Sequence, residues 1–216
     1  MRRILAVFGV IVFFASVLHG EDMAKIRLPE PKVKGNVSVE EAIEMRRSVR
    51  GYSSREIPLE DISQLLWACQ GITDKARGLR ASPSAGALYP LEIYLVKKDG
   101  IFHYIPDGHL LEKVADKDVR GELAQAAYSQ GYVAEAPIGI VIAAIYERVM
   151  SKYGERGIRY TDMEAGHAAE NVFLQAKALG LDSLPVGAFG DAAVARILGL
   201  PKDTKPLYIL PVGYKR

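Results

Sequence analysis

The sequence has one cysteine, Cys69, among 216 residues, which excludes an internal disulfide and any metal site built from several cysteines. Cys69 lies at helical spacing from Leu65 and Leu66, so we expect a buried structural thiol and not a nucleophile. No histidine pair has metal-ligand spacing, no metal site is expected, and no surrounding pattern makes a histidine part of a catalytic triad. We therefore expect structural roles for His103, His109 and His167.

The motifs GxGxxG, GxxxxGK[ST] and GxSxG, which serve dinucleotides, triphosphates and acyl transfer, are all missing. Because no protein nucleophile or metal ligand set stands out, an enzyme with this sequence would take its chemistry from a cofactor. The chain also has no excess of one charge, with a formal net charge of +2. Without Arg2 and Arg3 this falls to 0, so we expect no nucleic-acid partner and no general attraction to anionic membranes.

The first 20 residues combine the basic start MRR with the apolar run Ile4–Leu18, which predicts a signal peptide or a retained N-terminal membrane anchor. Export from the cytoplasm follows if the signal is functional, and a cytoplasmic location if it is not. Residues 21–37, with three Pro or Gly residues, are predicted to be a linker. Residues 38–216 then form one domain, in which no internal repeat or boundary is visible.

Local patterns predict a mixture of helices and strands that do not alternate strictly, so the fold class is α+β. Ser38 and Glu41 form a capping box, and an apolar stripe predicts a helix over Pro58–Gln70. Asp99-Gly100 between alternating β-formers predicts a hairpin, and IGIVIAAIY predicts a buried central strand. The remaining predicted elements are helices over His109–Ala115, Val119–Tyr128 and Asp162–Leu179, a short helix from Asp191 to Gly199, and a final strand PLYILPVGY.

Three polar, glycine-containing loops are candidates for ligand binding. RRSVRGY offers guanidinium groups and a hydroxyl, the donors that a phosphate prefers. SPSAGALYP and LPVGAFG have small side chains that let main-chain N–H groups approach a flat ligand closely. Each loop alone is a weak signal, because such loops usually only connect elements, but the three in this order form a specific pattern.

These loops, together with EAGHAAENVFLQAKALGL and the closing LPVGY, resemble the nitroreductase family of flavoproteins from about Ser38 to Tyr214. The block RASPSAGALYPLEIYLV and the hairpin IFHYIPDGH are most similar to the SagB-type dehydrogenases of that family. The resemblance implies a nitroreductase-like fold, with a central mixed β-sheet flanked by helices. It also implies a homodimer with a long central interface helix and FMN bound at the interface.

The resemblance assigns FMN-binding roles residue by residue. Arg46, Ser48 and Arg50 would hold the phosphate, the ribityl chain and the pyrimidine edge, while Arg47 is either a further contact or solvated. The PSAG loop of the second subunit would pack on the ring, and a main-chain N–H of Gly187 or Ala188 would face flavin N5. The full set of implied cofactor-binding residues is Arg46, Arg47, Ser48, Arg50, Pro83, Ser84, Ala85, Gly86, Ala87, Pro185, Val186, Gly187, Ala188, Lys215 and Arg216.

The implied activity is ping-pong electron transfer through FMN, with NAD(P)H as a possible reductant and a small molecule or peptide as the substrate. No side chain need act as a catalytic acid or base. The alternative is a non-catalytic flavin-binding or complex-assembly subunit on the same fold. The sequence departs from many relatives at Ala87, where they have asparagine, and at its end, where Lys215-Arg216 takes the place of a longer extension that swaps a strand.

Overall fold

The computed structural model describes residues 25–216, so the signal or anchor predicted for residues 1–20 lies outside the described part of the chain. The strands are β1 Lys25–Arg27, β2 Ile72–Asp74, β3 Leu79–Arg80, β4 Leu91–Lys97, β5 Gly100–Ile105, β6 Leu110–Ala115, β7 Ile138–Ile145, β8 Asp182–Ser183 and β9 Thr204–Gly213. The helices are α1 Val39–Met45, α2 Leu59–Gln70, α3 Arg120–Ala126, α4 Tyr132–Glu135, α5 Glu147–Tyr153, α6 Arg156–Ala178 and α7 Asp191–Leu198.

Seven strands form one sheet in the order β1-β6-β5-β4-β7-β9-β8, and β2 and β3 form a separate hairpin. β7 pairs with β4 on one side and with β9 on the other. Its residues from Ile138 to Ala144 are buried, which confirms the predicted central strand covered on both faces. The resemblance implies a mixed sheet, whereas all strand pairings within residues 25–216 are antiparallel and the parallel component is the bridge between Ser48 and Ser183.

Helices cover both faces of the sheet and create two apolar layers. α2 and α6 pack on one face, where Leu65, Leu66 and Ile140 are fully buried. α3, α4 and α7 pack on the other face with Val141 and Ile209. Full burial of one such aliphatic side chain stabilises the fold by about 1.5–3 kcal/mol. None of the helices in residues 25–216 combines the length and hydrophobicity that crossing a membrane requires.

Several local predictions are confirmed by backbone geometry. The capping box forms, since the Ser38 hydroxyl accepts from the Glu41 N–H at 3.1 Å while the Glu41 carboxylate accepts from the Ser38 N–H at 2.7 Å. The hairpin at Asp99-Gly100 joins β4 to β5. Gly199 caps α7 in the left-handed conformation, with φ of 65°. These features depend on neighbouring residues only, which is why the sequence predicts them well.

The predicted helix over His109–Ala115 is wrong, because residues 110–115 form β6. Gly108 and His109 both have positive φ, at 74° and 53°, and reverse the chain after β5. β6 then pairs with β5 on one side and β1 on the other. β6 supplies hydrogen-bond partners for the backbone groups of β5. This tertiary pairing outweighs the short helical pattern in the sequence.

The buried thiol and the structural roles of His103 and His109 are confirmed, while the role of His167, which is exposed, stays a prediction. Cys69 is fully buried, and burial raises the pKa of its thiol. His109 joins three elements: its Nε2 lies 2.6 Å from the Ser63 hydroxyl and its Nδ1 lies 2.8 Å from the Tyr104 hydroxyl. Burial also lowers the pKa of His109, so the neutral ring suits this position. His103 is half-buried with its Nε2 2.6 Å from Glu92.

The region predicted as a linker contributes to the folded domain from Lys25 onward. β1 pairs with β6 at the sheet edge. Leu28 is buried, and the Lys32 main chain exchanges hydrogen bonds with the Gln64 side chain at 2.8 and 3.0 Å. This segment therefore packs on the domain before the predicted start at Ser38.

Candidate cofactor site

The RRSVRGY segment leaves the end of α1, where Arg46 is the C-terminal cap. Tyr52 fixes the segment to the sheet, because its buried hydroxyl lies 2.8 Å from the Val49 carbonyl and 3.2 Å from that of Pro211. Burial raises the pKa of Tyr52, which keeps the phenol neutral and able to donate. The aromatic residue of the motif thus serves as an anchor and leaves the polar residues before it at the surface.

The three arginines of this segment have different environments. Arg47 donates from Nη1 to the carbonyls of Glu44 at 2.8 Å and Arg46 at 2.7 Å. It therefore satisfies carbonyls at the C-terminal end of α1, where a cation is also favoured by the helix dipole. Within residues 25–216, the side chains of Arg46 and Arg50 have no hydrogen-bond or ion-pair partner. Their guanidinium groups are available to an anion, whereas that of Arg47 is already used.

The loop Pro185–Ala188 is attached to the sheet at Val186, and its other residues are exposed. Val186 exchanges two main-chain hydrogen bonds of 2.9 Å with Ile209 of β9, and its side chain is buried. Gly187 and Ala188 are exposed, and neither N–H donates to a carbonyl or side chain of the described residues. The Ala188 carbonyl accepts from Gln130 Nε2 at 3.0 Å, which helps to hold the orientation of this peptide. Two adjacent main-chain donors are thus presented to solvent on a fixed backbone.

The last residues of the chain, Lys215 and Arg216, lie beside the RRSVRGY segment. Ser48 bridges to Ser183, and Tyr52 bridges to Lys215. Arg216 is engaged, since its Nη2 lies 3.1 Å from the Glu135 carboxylate and 3.3 Å from the Tyr52 carbonyl. Lys215 is exposed and has no ion pair with any residue from 25 to 216.

Strand bridges bring these segments next to one another, and we call the set of donors that they carry the basic cradle. It consists of the side chains of Arg46, Ser48, Arg50 and Lys215 and the main-chain N–H groups of Gly187 and Ala188. Two guanidinium groups, a hydroxyl, an ammonium and two amides are the donor set that suits a phosphate and a polar ring system. Of the sequence-predicted basic residues, Arg47 and Arg216 are the two with other partners.

The PSAG loop, residues 83–87, has an unusual backbone. Gly86 and Ala87 in the loop and Tyr89 just after it have positive φ, at 63°, 54° and 47°. For the two residues with side chains this conformation costs about 1–2 kcal/mol each. Ser84 helps to compensate, because its hydroxyl accepts from the Tyr89 N–H at 2.9 Å. Such conformations concentrate at ligand-binding loops.

The PSAG loop packs on α5 and α6 and brings in residues that the sequence patterns did not single out. A Cβ atom built on Gly86 would lie 2.9 Å from the Tyr153 hydroxyl and 3.0 Å from Lys152 Nζ. Positive φ therefore favours glycine here, and a larger residue would also have to displace the ends of the Tyr153 and Lys152 side chains. Lys152 and Tyr153 are the last two residues of α5, and nothing in their spacing predicts that they meet the loop.

Glu164 is a second residue that the sequence patterns missed. It lies on the buried face of α6, where it is 2% exposed beside Ala165 and Ala168. Its Oε1 accepts from Gln70 Nε2 at 3.4 Å, and Arg80 in turn donates to Gln70 at 3.2 Å. Burial raises the pKa of Glu164 to about 7, against smaller opposite effects of Ser84, Gln70 and Arg80. An acidic residue on an otherwise apolar helix face is the signal that could have revealed it.

The basic cradle and the PSAG loop are not joined within this chain. The pairings that assemble the cradle link residues 48, 52, 183, 186, 209 and 215 and involve no residue of the PSAG loop. The loop contacts the start of α6 and the end of α5 instead. Residues 25–216 also contain no cluster of three His, Cys, Asp or Glu side chains arranged for a metal.

Comparison with known proteins identifies relatives over almost the whole described chain. The model of the Nitroreductase family matches residues 43–214. A protein of Methanocaldococcus jannaschii whose name assigns it to the nitroreductases is 44% identical over 200 residues, which are 90% of this chain and 98% of that protein. The microcin B17-processing protein McbC of Escherichia coli is 27% identical over 160 residues, covering 69% of this chain and 59% of McbC. A crystal structure from Ralstonia eutropha, titled as a nitroreductase, superimposes with a TM-score of 0.82 at 26% identity, covering 89% of this chain and 90% of that one.

Proposed function

The chain belongs to the nitroreductase family of flavin-type oxidoreductases, and on this premise we propose that it is an FMN-dependent oxidoreductase of the SagB type. The observation that carries the proposal is the set of unused donors in the basic cradle. Arg46, Ser48 and Arg50 lie on one short segment, and none of their side chains is paired with another described residue. A surface that keeps two guanidinium groups unpaired is suited to an anionic ligand, because charge-assisted hydrogen bonds stabilise an ion without a competing internal partner.

FMN fits this donor set in chemical type. In the proposed complex Arg46 and Ser48 bind the phosphate and the ribityl chain, and Arg50 binds the pyrimidine edge. The N–H groups of Gly187 and Ala188 donate to the ring, with one of them at N5. When bound, FMN supplies the two-electron redox chemistry. The chain's own contribution is to bind, to orient the ring and to stabilise the charge of the reduced form through donors that are already in place.

We further propose that the complete site needs a second copy of this chain. The PSAG loop, expected against the flavin ring, makes no hydrogen bond or strand bridge with the basic cradle of its own chain. Large apolar side chains are exposed on α1 and α6, as expected of surfaces that pack against another subunit. They are Val39, Ile43, Met45, Ile158 and Met163. In the dimer, the loop of one protomer would meet the cradle of the other.

The proposed substrate is a small molecule or a peptide. The block PSAGALYPLE and the similarity to McbC support the SagB-type assignment. NAD(P)H is the proposed reductant if the protein acts in the cytoplasm. If residues 1–20 direct export, an organic substrate is the proposed electron donor, because NAD(P)H is a cytoplasmic metabolite. The second candidate is a flavin-binding assembly subunit, which would bind FMN in the same cradle but would not catalyse a reaction.

The proposal is tested by purifying the full chain, releasing any bound flavin by denaturation and identifying it. We expect a yellow protein that contains FMN and elutes as a dimer. Anaerobic mixing with NADH, NADPH and candidate organic donors should bleach the flavin absorbance with at least one of them. A colourless protein that takes up no added FMN would refute the function, whereas bound FMN that no donor reduces would favour the assembly subunit.

A further inference from the structure

Arg55 is an exposed residue three positions after the RRSVRGY segment. Its guanidinium carbon lies 4.0 Å from the centre of the Tyr214 ring. A guanidinium group over an aromatic face is held there by the attraction between its charge and the ring. Among residues 25–216, the side chain of Arg55 has no hydrogen-bond or ion-pair partner. The ring therefore holds in place a cation that no described side chain neutralises.

Main-chain contacts place Arg55 beside the end of the chain. The Ser53 N–H donates to the Tyr214 carbonyl at 2.9 Å, and Tyr52 forms a strand bridge with the residue after Tyr214. Tyr214 packs against the apolar layer that α2 and α6 build on one face of the sheet. α1, which leads to Arg46, also packs on α6. Arg55 and Arg46 are thus carried by segments on the same side of the sheet.

The stacked arrangement leaves the hydrogen-bond donors of Arg55 free. A guanidinium group carries its five N–H donors in its own plane, so a ring that covers one face does not use them. Two of these donors match two oxygens of a phosphate in parallel hydrogen bonds. Arg55 therefore combines a fixed position with an unused, phosphate-shaped set of donors.

The acidic residue that senses Arg55 does not occupy it. Burial and Glu60 raise the pKa of Asp61 at the start of α2, whereas Lys32 and Arg55 lower it. Asp61 is thus close enough to feel the charge of Arg55, but the two side chains form no ion pair. The guanidinium keeps its donors for another anion.

The charge of a phosphate monoester calls for more than one cation, since it is about −1.5 to −2 at neutral pH. In the proposed FMN complex Arg46 binds the phosphate and Arg50 the pyrimidine edge. Arg47 and Arg216 are already engaged with groups of this chain. Arg55 supplies a further guanidinium that has no such partner.

We propose that Arg55 is a phosphate-binding residue of the cofactor site, whose guanidinium donates to the phosphate of FMN while it stacks on Tyr214. The inference rests on the proposed function and adds to it a residue outside the RRSVRGY segment. It also states what this residue selects: a flavin that ends in a phosphate monoester, in preference to riboflavin, which has no phosphate. Tyr214 is a positioning residue, because its ring holds the guanidinium without using the donors.

The test is to titrate the full chain, freed of flavin, with FMN and with riboflavin and to follow the quenching of flavin fluorescence. We expect Arg55→Ala to raise the dissociation constant of FMN about 10-fold, as the loss of a hydrogen bond to a charged group predicts. The dissociation constant of riboflavin should stay within about 2-fold of wild type, the range of surface substitutions. The ³¹P NMR signal of bound FMN, recorded at saturation, should also move, and this readout does not depend on riboflavin binding.

Variants of Tyr214 test the positioning role. Tyr214→Phe keeps the aromatic face and should bind FMN like wild type. Tyr214→Leu removes that face and should weaken FMN binding about 2- to 5-fold, the contribution of one exposed cation–π contact. Combined with Arg55→Ala, it should cause no further loss, because the ring acts through the guanidinium.

Arg77→Ala is the matched control, since it removes an exposed arginine whose partner is Asp74 in the β2–β3 hairpin. It should leave FMN affinity and the ³¹P signal unchanged. The role of Arg55 is overturned if Arg55→Ala leaves both unchanged, if it weakens FMN and riboflavin binding equally, or if Arg77→Ala has the same effect. A wild-type protein that takes up no FMN refutes the proposed function and this role with it, whereas FMN binding that is insensitive to Arg55→Ala refutes only the role of Arg55.

Discussion

The basic cradle and the surroundings of the PSAG loop differ in whether their polar groups already have hydrogen-bond partners within the chain. In the cradle, Arg46, Arg50 and Lys215 are held on ordered backbone with their charged ends unpaired. Around the PSAG loop the polar groups are engaged with one another: Tyr89 donates its N–H to Ser84, Arg80 donates to Gln70, and Gln70 donates to Glu164. The loop also contains strained backbone, whereas the cradle contains no residue with positive φ.

This difference predicts whether each region contributes mainly to the free energy of ligand binding or to the free energy of folding. Exposed, unpaired cations give affinity for an anion and contribute little to folding. A buried network fixes the shape of a loop and contributes to folding, so that substitutions there change stability first. The cradle and the PSAG loop should therefore respond to mutation in opposite ways, affinity in one and stability in the other.

The largest expected effect is on FMN affinity. Replacing Arg46 and Ser48 together by alanine removes two charge-assisted hydrogen bonds, each of about 1.5–3 kcal/mol. The dissociation constant of FMN, measured by fluorescence quenching, should rise about 10²- to 10⁴-fold, while the urea midpoint of the flavin-free protein stays within the range of surface substitutions.

Arg47→Ala is the matched control for this double variant. Because the Arg47 guanidinium binds the carbonyls of Glu44 and Arg46, its loss should reduce the stability of the end of α1 and leave FMN affinity close to wild type. If Arg47→Ala weakens FMN binding as much as the double variant does, the assignment of these arginines from their contacts is wrong.

The next effect is the pH dependence of stability caused by Glu164. Its pKa is raised from 4.5 to about 7 in the folded protein, so between these values the unfolded chain loses its proton first. The free energy of unfolding should therefore fall as pH rises through this window, by at most about 1.4 kcal/mol per pH unit, and level off above it. Below the window both states are protonated and the penalty disappears.

Urea unfolding of wild type and Glu164→Gln from pH 4 to pH 8 checks this prediction. The difference between the two proteins isolates Glu164 from His109, whose lowered pKa has the opposite effect, a loss of stability as pH falls below about 6.5. Glu170→Gln should follow wild type. Parallel curves for wild type and Glu164→Gln would show that the buried carboxyl group does not titrate as described.

A smaller effect is expected from backbone strain in the PSAG loop. Gly86→Ala places a side chain at positive φ, which costs about 1–2 kcal/mol, and also presses Cβ against Tyr153 and Lys152. Gly78→Ala is a matched control, since its φ of 66° is similar but no atom lies within 4 Å of the added Cβ. Gly86→Ala should therefore have the lower urea midpoint of the two. Equal midpoints would mean that the ends of the Tyr153 and Lys152 side chains move aside at no measurable cost.

The contrast between the regions also explains what could be predicted from the sequence. The capping box at Ser38, the hairpin at Asp99-Gly100 and the buried run of β7 depend on neighbours in sequence or on simple patterns, and all three are confirmed. β6 and the short strand β1 depend on pairing with each other and with β5. No local pattern contains that information, so one was predicted as a helix and the other as part of a linker.

For the candidate site, the sequence predicted which segments take part better than it predicted what each residue in them does. RRSVRGY pairs with Ser183, directly before LPVGAFG, and the FMN contacts of both segments stay predictions. The separate environments of Arg46 and Arg47 arise from the turn after α1, which brings one guanidinium back to the helix. Lys152 and Glu164 could not be predicted as neighbours of the PSAG loop, because three-dimensional packing of α5 and α6 brings them there.

The smallest expected effect distinguishes the last two residues of the chain. Lys215 is exposed and has no described ion-pair partner, so Lys215→Ala should weaken FMN binding by about 2- to 5-fold, the range of a single exposed charge pair. The loss should shrink at high salt because exposed charges are screened. Arg216→Ala breaks the contact with Glu135 and should leave FMN affinity unchanged while it lowers stability slightly. Titrations of both variants at low and high salt measure this difference directly, and a larger, salt-dependent loss for Arg216→Ala than for Lys215→Ala would place the phosphate on the other side of the chain end.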